Sequence, residues 1–314
     1  MPTNSIISRT EAQALIPEDA SREIIQASTE ASALMQVARR LPNMPSAQTR
    51  LPVVSALPSA YFVTGDTGTK QTSEVNWDNV YLNAEELAVI VPVPQAVVDD
   101  ASYNIWGEIQ PLLAEAFGKA IDAAMLFGTN KPASWPTAIR AAAVAAGNNV
   151  SAGGAGDTYD ELLGVGGVWS LVEADGYMVN GVIAATSAMA LLRGLRDGAT
   201  GAPIFFPDPK AANDYRIAGV PLIFPRNGGF DSSATHLFAG DWSQIVYAMR
   251  QDITVTIADQ GVITDNAGNI VYNLFQQDMV ALRAVMRVAF AVPNPINRLQ
   301  STAANRYPIG VYTT

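Results

Sequence analysis

Apolar residues recur every three to four positions between Asn104 and Gly128: Ile105, Ile109, Leu112, Leu113, Ala116, Phe117, Ala120, Ile121, Ala124 and Met125. That spacing lines one face of a helix. Asn104 can cap its start and Gly128 can take the left-handed conformation that ends it, giving a rod of roughly 35 Å at 1.5 Å per residue. Late in the chain the period changes to two. Val280, Leu282, Ala284, Met286, Val288, Phe290 and Val292 fall on one side of a strand from Met279, while Arg283 and Arg287 fall on the other. The pattern predicts an α+β fold in which the long helix lies across a sheet built partly from this strand, and the chain between them forms a second lobe.

Two earlier segments pattern differently. In the first fifty residues Pro17 suits the first position of a helix and Glu18 and Asp19 its positive first turn, with Ile24, Ile25 and Ala27 as an apolar side. Leu41-Pro42-Asn43-Met44-Pro45 then keeps the chain extended, so this region reads as an arm. Next, Leu51–Val63 and Val75–Val91 are strand-like flanks around the polar TGDTGTKQTSE, which holds Gly65 and Gly68. They predict a long hairpin with Val75, Trp77 and Tyr81 on one face. A hairpin of that length is marginal alone in water, so it is expected to lie on a neighbouring subunit.

Pro111 falls inside the long helix with Gly118 further along, and both are candidates for a bend. In the lobe that follows, Thr158-Tyr159-Asp160-Glu161 has the spacing of a capping box opening a helix that Gly176 can end. Met178–Ala185 reads as a strand, and Thr186 or Ser187 as the cap of a helix through Leu195 stopped by Gly198. Short strands are predicted in RIAGVPLIF, THLFAGD, QIVYAM, ITVTIA and NIVYNLF, which makes the lobe mixed α/β.

Composition narrows what such a chain can do. Its 314 residues carry 29 acids against 19 bases, a net charge of −10, which argues against a surface built to grip phosphate backbones. Only 15% of residues are charged, against ~25% in ordinary globular proteins, while 49% are hydrophobic. An outer surface that poor in charge is expected to be covered, and further copies of the same chain are the simplest cover. No run reaches the ~18 apolar residues of a membrane span and no basic-then-apolar leader is present, so neither insertion nor secretion is expected and the protein is expected to be made and used in a cytoplasm.

Candidate chemistry is sparse. With no cysteine and a single histidine, His236, a thiolate nucleophile, a histidine triad and the usual zinc sets are excluded or unsupported, and no G-x-S-x-G is found. The acidic pairs Glu85-Glu86 and Asp99-Asp100 stand apart from other ligands. TGDTGTKQT and GGAGDT lack the spacing of phosphate or dinucleotide loops. No enzyme, cofactor or metal is expected.

The order of the parts is itself a pattern: an arm with P-E-x-x-x-x-E-I-I, a long hairpin, V-P-x-A-V-V-D-D-A, a long helix closing in D-A-A-M-L-F-G-T-N-x-P, a second lobe, and a last strand before V-P-N-P. Over nearly its whole length the chain resembles the major capsid proteins of tailed bacteriophages, whose Hong Kong-type shell fold encapsulin compartments share. The resemblance implies an N-terminal arm at 1–50, an extended loop at 51–92, a peripheral domain at 93–139 and 276–314 with its spine helix at 104–128, and an axial domain at 140–275. It implies a structural role in the virion: hexamers and pentamers closing into an icosahedral shell around double-stranded DNA, with a portal and separate scaffolding or decoration proteins as partners, no membrane, and assembly in the host cytoplasm. A shell around protein cargo, as in encapsulins, is the alternative.

Contacts between subunits are then expected from Ile24, Ile25, Arg39 and Arg40 of the arm and from Phe62, Asp66, Lys70, Glu74, Trp77 and Asn79 of the loop. Some relatives cross-link a lysine of this loop to a neighbour's asparagine. Alignment on Asp99-Asp100-Ala101 puts Asn79 at that lysine's position, and Lys70 is the only lysine nearby, so covalent cross-linking is not expected. The chain opens almost directly on the arm, without the long helical segment that built-in scaffolds occupy, which leads to the expectation of a separate scaffold or none.

Overall fold

The computed structural model describes residues 32–63, 68–100, 105–154, 157–196 and 215–314. The arm helix expected near Pro17, the proposed cap Asn104 and the stop Gly198 lie outside them. In chain order the described residues give α1 (Ala33–Val37), β1 (Arg39–Arg40), β2 (Gln48–Ala56), β3 (Asn76–Asn83), β4 (Glu85–Pro94), α2 (Gln95–Asp100) and α3 (Ile105–Asp122). A turn of π-helix, Ala123–Phe127, continues α3. Then come α4 (Ile139–Ala146), β5 (Asn149–Ser151), α5 (Thr158–Leu163), α6 (Val168–Ala174), β6 (Gly181–Ala184) and α7 (Ala188–Gly194). The last third is β-rich: β7 (Arg216–Ile217), β8 (Val220–Ile223), β9 (Thr235–Gly240), β10 (Val246–Ala258), β11 (Val262–Thr264), β12 (Ile270–Asn273), β13 (Met279–Ala291) and β14 (Ile309–Thr313).

The late alternating strand is an inner strand of a four-stranded sheet ordered β1-β10-β13-β4. On one face α3 lays Leu113 and Phe117 against Leu282 and Ala284, with Leu87, Val89 and Val91 alongside. On the other, the base of the β2–β3 hairpin brings Leu82 against Val246, Ala248, Ala289 and Ala291. Both faces are therefore dry, which is why β13 buries nearly every residue instead of alternating as its arginines suggest. Arg287 reaches Glu86 on β4 at 2.7 Å. The pair is about 40% exposed, and stabilises by less than about 1 kcal/mol.

A second sheet is ordered β5-β14-β9-β6-β8-β7. Gly240 on β9 lies so close to β14 that a Cβ there would sit 2.2 Å from the Pro308 carbonyl oxygen. Backbone cannot yield as a flexible side chain would, so Gly240→Ala is expected to destabilise the subunit by at least about 2 kcal/mol, read as a lowered urea midpoint.

Three pairings differ from the sequence reading. The second hairpin flank divides at Ala84: β3 stays with β2, and β4 joins the four-stranded sheet through Met279↔Pro94 to Val288↔Glu85. QIVYAM and ITVTIA form one continuous strand, β10, which also enters that sheet although its residues fall within the expected axial span of 140–275. The C-terminal β14, within the span 276–314 expected to be peripheral, pairs with β9 and β5 in the six-stranded sheet. The chain thus passes between the sheets repeatedly, and one core is common to both. Ile121, Met125 and Leu126 at the end of the long helix pack with Phe238, Phe290, Ile309 and Val311.

Local signals fared unevenly. Gly128 does end the long helix in the left-handed region (φ 83°), its N–H donating to the Ala123 and Ala124 carbonyls. The helix is α-helical only to Asp122, and its winding changes at Ala123–Phe127, while Pro111 and Gly118 sit inside the regular part. The capping box at Thr158 does not form. Asp157 caps α5, and Glu161 turns inward to accept from the Tyr312 hydroxyl at 2.5 Å and the Gly154 N–H at 2.6 Å. The single helix expected to run to Gly176 is two, because Gly164 and Gly167 bring the backbone onto the Asp160 carbonyl.

Candidate inter-subunit surface

β2 and β3 run antiparallel from Gln48↔Asn83 to Ala56↔Asn76. Near the base, Leu51, Val80 and Leu82 face the sheet. The Ile296 N–H donates to the Val54 carbonyl and the Arg298 guanidinium to that of Pro58, so the C-terminal segment braces the hairpin midway. Among the described residues, large apolar side chains stay exposed beyond that brace and, at Tyr81, on the strand below it. Phe62 is fully exposed at 102%, Trp77 is 66% and Tyr81 49% exposed, and Tyr61, Val63 and Val75 join them. Large apolar groups clustered on one slender projection mark a surface made to be covered.

A second projection lies at the far end of the four-stranded sheet. β10 beyond Tyr247 has β13 on one side and, among the described residues, no strand on the other. Its Ile253, Val255 and Ile257 are exposed, as are Val262, Ile270 and Phe275 on the β11–β12 ribbon and just after it. An uncapped edge flanked by apolar groups is a second candidate contact.

The arm enters the body at a buried carboxylate. Asp122, fully buried at the end of α3, accepts from the Ser32 hydroxyl at 2.5 Å, the Ala33 and Leu34 N–H groups at 2.9 and 3.1 Å, and the Asn227 amide at 2.7 Å. Thus one side chain ties the start of α1, the long helix and the loop before β9. Gly228 and Gly229 let that loop close in, since a Cβ at Gly229 would meet the Lys119 carbonyl at 2.7 Å. Burial, the largest influence, raises the Asp122 pKa above the ordinary aspartate value against the pull of its hydrogen bonds. A raised native pKa means the folded state holds the proton more tightly. The contribution is full below the unfolded value and is lost as pH rises through the native one. Wild type should therefore gain on Asp122→Asn as pH falls from neutrality toward 4, checked by the difference between their urea midpoints.

The residues singled out in the sequence are distributed as follows. Ile24, Ile25 and Asp66 lie outside the described residues. Phe62, Lys70, Glu74, Trp77 and Asn79 are all exposed on the hairpin, so the fold does bring these five onto one projection. Asn79 stands opposite Pro52, its N–H donating to the Asp78 carboxylate. Arg39 and Arg40 are not on the hairpin. They form the short edge strand beside Val246 and Tyr247, and the Arg40 guanidinium donates to Asn43 Oδ1. Pro111 is half-buried and Gly118 buried. Sequence reasoning missed Asp122, whose one signal was a lone acid inside the apolar run AIDAAMLF.

Among the described residues no cluster of three or more His, Asp or Glu could hold a metal ion, and no helix is long and apolar enough to cross a membrane. His236 is half-buried with its ring 5.5 Å from that of Tyr312, and burial lowers its pKa.

A model of the phage capsid family matches residues 12–298. The major capsid protein of Staphylococcus phage 80alpha is 29% identical over 272 residues, covering 86% of this chain and 79% of its own. A solved structure from Microbacterium phage Oxtober96 superposes with a TM-score of 0.85 at 35% identity, over 98% of this chain and 99% of that one. The capsid of a native GTA particle computed with C5 symmetry shares the fold, with a TM-score of 0.72 at 18% identity over 99% of each chain.

Proposed function

This chain belongs to the phage capsid family and is a capsid shell protein of a virion, many copies of which build the shell; we propose that those copies close as hexamers and pentamers into an icosahedral head around double-stranded DNA. The observation that carries this reading is the hairpin: anchored at its base and braced by Ile296 and Arg298, it leaves Phe62, Trp77 and Tyr81 exposed among the described residues. Laid on a neighbour, such a projection buries on the order of 1,000 Å² counting both partners, the scale of a specific interface. Weak contacts repeated around a closed lattice become collectively hard to break.

In this reading residues 1–50 act as the arm, the β2–β3 hairpin as the extended loop, the α3 sheet as the peripheral body and the six-stranded sheet as the axial one. Contacts are made by Ile24, Ile25, Arg39, Arg40, Phe62, Asp66, Lys70, Glu74, Trp77 and Asn79. Assembly takes place in the host cytoplasm with a portal and a separate scaffold or none, without catalysis or covalent cross-links. Pro111 and Gly118 let α3 bend when the shell changes shape. The DNA is held without sequence recognition, consistent with a net charge of −10. A compartment around protein cargo is not favoured, since the curated relative named above is a phage major capsid protein. Purified native particles are expected to absorb more strongly at 260 than at 280 nm and to keep that ratio after nuclease treatment. Protein-like absorbance in every native particle would remove the DNA from this reading.

A further inference from the structure

Where the long helix nears its end, a groove of about 440 Å³ opens between it and the sheet. Ala116, Ala120 and Ala124 form one wall, Leu87 and Val288 the floor, and Trp135 part of the far side. Small residues on the helix leave the wall concave, and the two carboxylates at the rim are engaged within the chain, with Lys119, Thr129 and Asn130 beside them. Glu86 is held by Arg287, Glu85 accepts from the Ser134 hydroxyl, and the Lys131 ammonium donates to the Pro132 and Trp135 carbonyls. What remains is an apolar slot shaped for aliphatic side chains.

We propose that this slot is the docking site of the chain's own arm, residues 17–27, which seat Ile24 in it. The described chain starts at Ser32, bound to Asp122, and Asp122 lies in the same helical turn as the groove residues Ile121 and Ala123. Ala120 and Ala124 are each two residues from Asp122, so the wall they form lies nearly half a turn round the helix, roughly 14 Å along the surface of a rod about 10 Å across. The five Cα–Cα steps from Ala27 to Ser32 reach up to ~17 Å, enough to cover it. The segment has the matching pattern: Pro17 opens it, and Ala20, Ile24 and Ala27 repeat at the spacing with which an amphipathic helix lies in an apolar groove. This contact is made within one subunit: it assigns Ile24 to its own body in place of the between-subunit role given to it above, and so does not depend on the shell reading.

The chain contains no cysteine, so introduced thiols are read without background. A single Ala120→Cys in the full-length protein is expected to react slowly with a maleimide, and about tenfold faster when Ile24→Asp and Ile25→Asp are added. Equal rates in the two backgrounds overturn the proposal. In Ile24→Cys/Ala120→Cys a short bis-maleimide is expected to consume both thiols while the denatured band stays at monomer mass. A ladder of multimers would assign the slot to a neighbour's arm instead. Linkage between copies in Phe62→Cys/Ala120→Cys would assign it to a neighbour's hairpin. Either result overturns the proposal, and particle formation, scored separately by electron microscopy, reports on the shell reading alone.

Discussion

Asp122→Ala is expected to unfold at a urea midpoint equivalent to a loss of about 3 kcal/mol, because it strands the Ala33 and Leu34 N–H groups and the Asn227 amide without their shared acceptor. Each orphaned buried donor costs about 1–3 kcal/mol, and relief from burying a charge returns part of the total. The effect should be local first. α1 loses its anchor, Leu34 leaves a fully buried site, and trypsin is expected to cut after Arg39 or Arg40 far faster than in wild type. Asp122→Asn keeps one acceptor oxygen but turns a donor toward two others, so it should fall between the two. Wild-type stability and cleavage in Asp122→Ala would mean that the joint between arm, helix and loop is incidental.

Phe62→Ser/Trp77→Ser is expected to reduce the yield of closed particles more than tenfold while leaving the subunit's circular dichroism and melting temperature unchanged. Both side chains are exposed within the chain, so their loss removes little that the subunit uses. Between subunits each would bury apolar area that contributes about 2 kcal/mol per contact. A deficit of that size at every copy acts on the whole lattice. Particle yields like those of wild type would mean that the hairpin's aromatic groups lie outside the interfaces.

What the sequence disclosed follows from range. The apolar stripe of α3, the left-handed Gly128 and the hairpin are written in neighbouring residues, and each was legible. The destinations of β10 and β14 are not local properties. ITVTIA and IGVYT have strand character wherever they pair, and only the folded chain decides that one meets β13 and the other β9. β13 misled in a related way: its arginines suggested one wet face, yet Arg283 and Arg287 are the only charged residues in a strand packed on both sides. At Glu161 a good local signal lost to a distant partner, since the Tyr312 hydroxyl comes from the C-terminal strand. The exposed Phe62, Trp77, Lys70, Glu74 and Asn79 could be named because a slender polar-tipped hairpin has few ways to fold back. Asp122 could not, because its four donors come from segments about ninety and a hundred residues away.

Electron microscopy of the purified full-length protein, with sedimentation on the same sample, tests the central claim most directly. Closed, uniform shells sedimenting far faster than a 33.3 kDa chain are the expected result. A single slow species of monomer mass, folded and stable with Phe62 and Trp77 shielded from solvent, would contradict it.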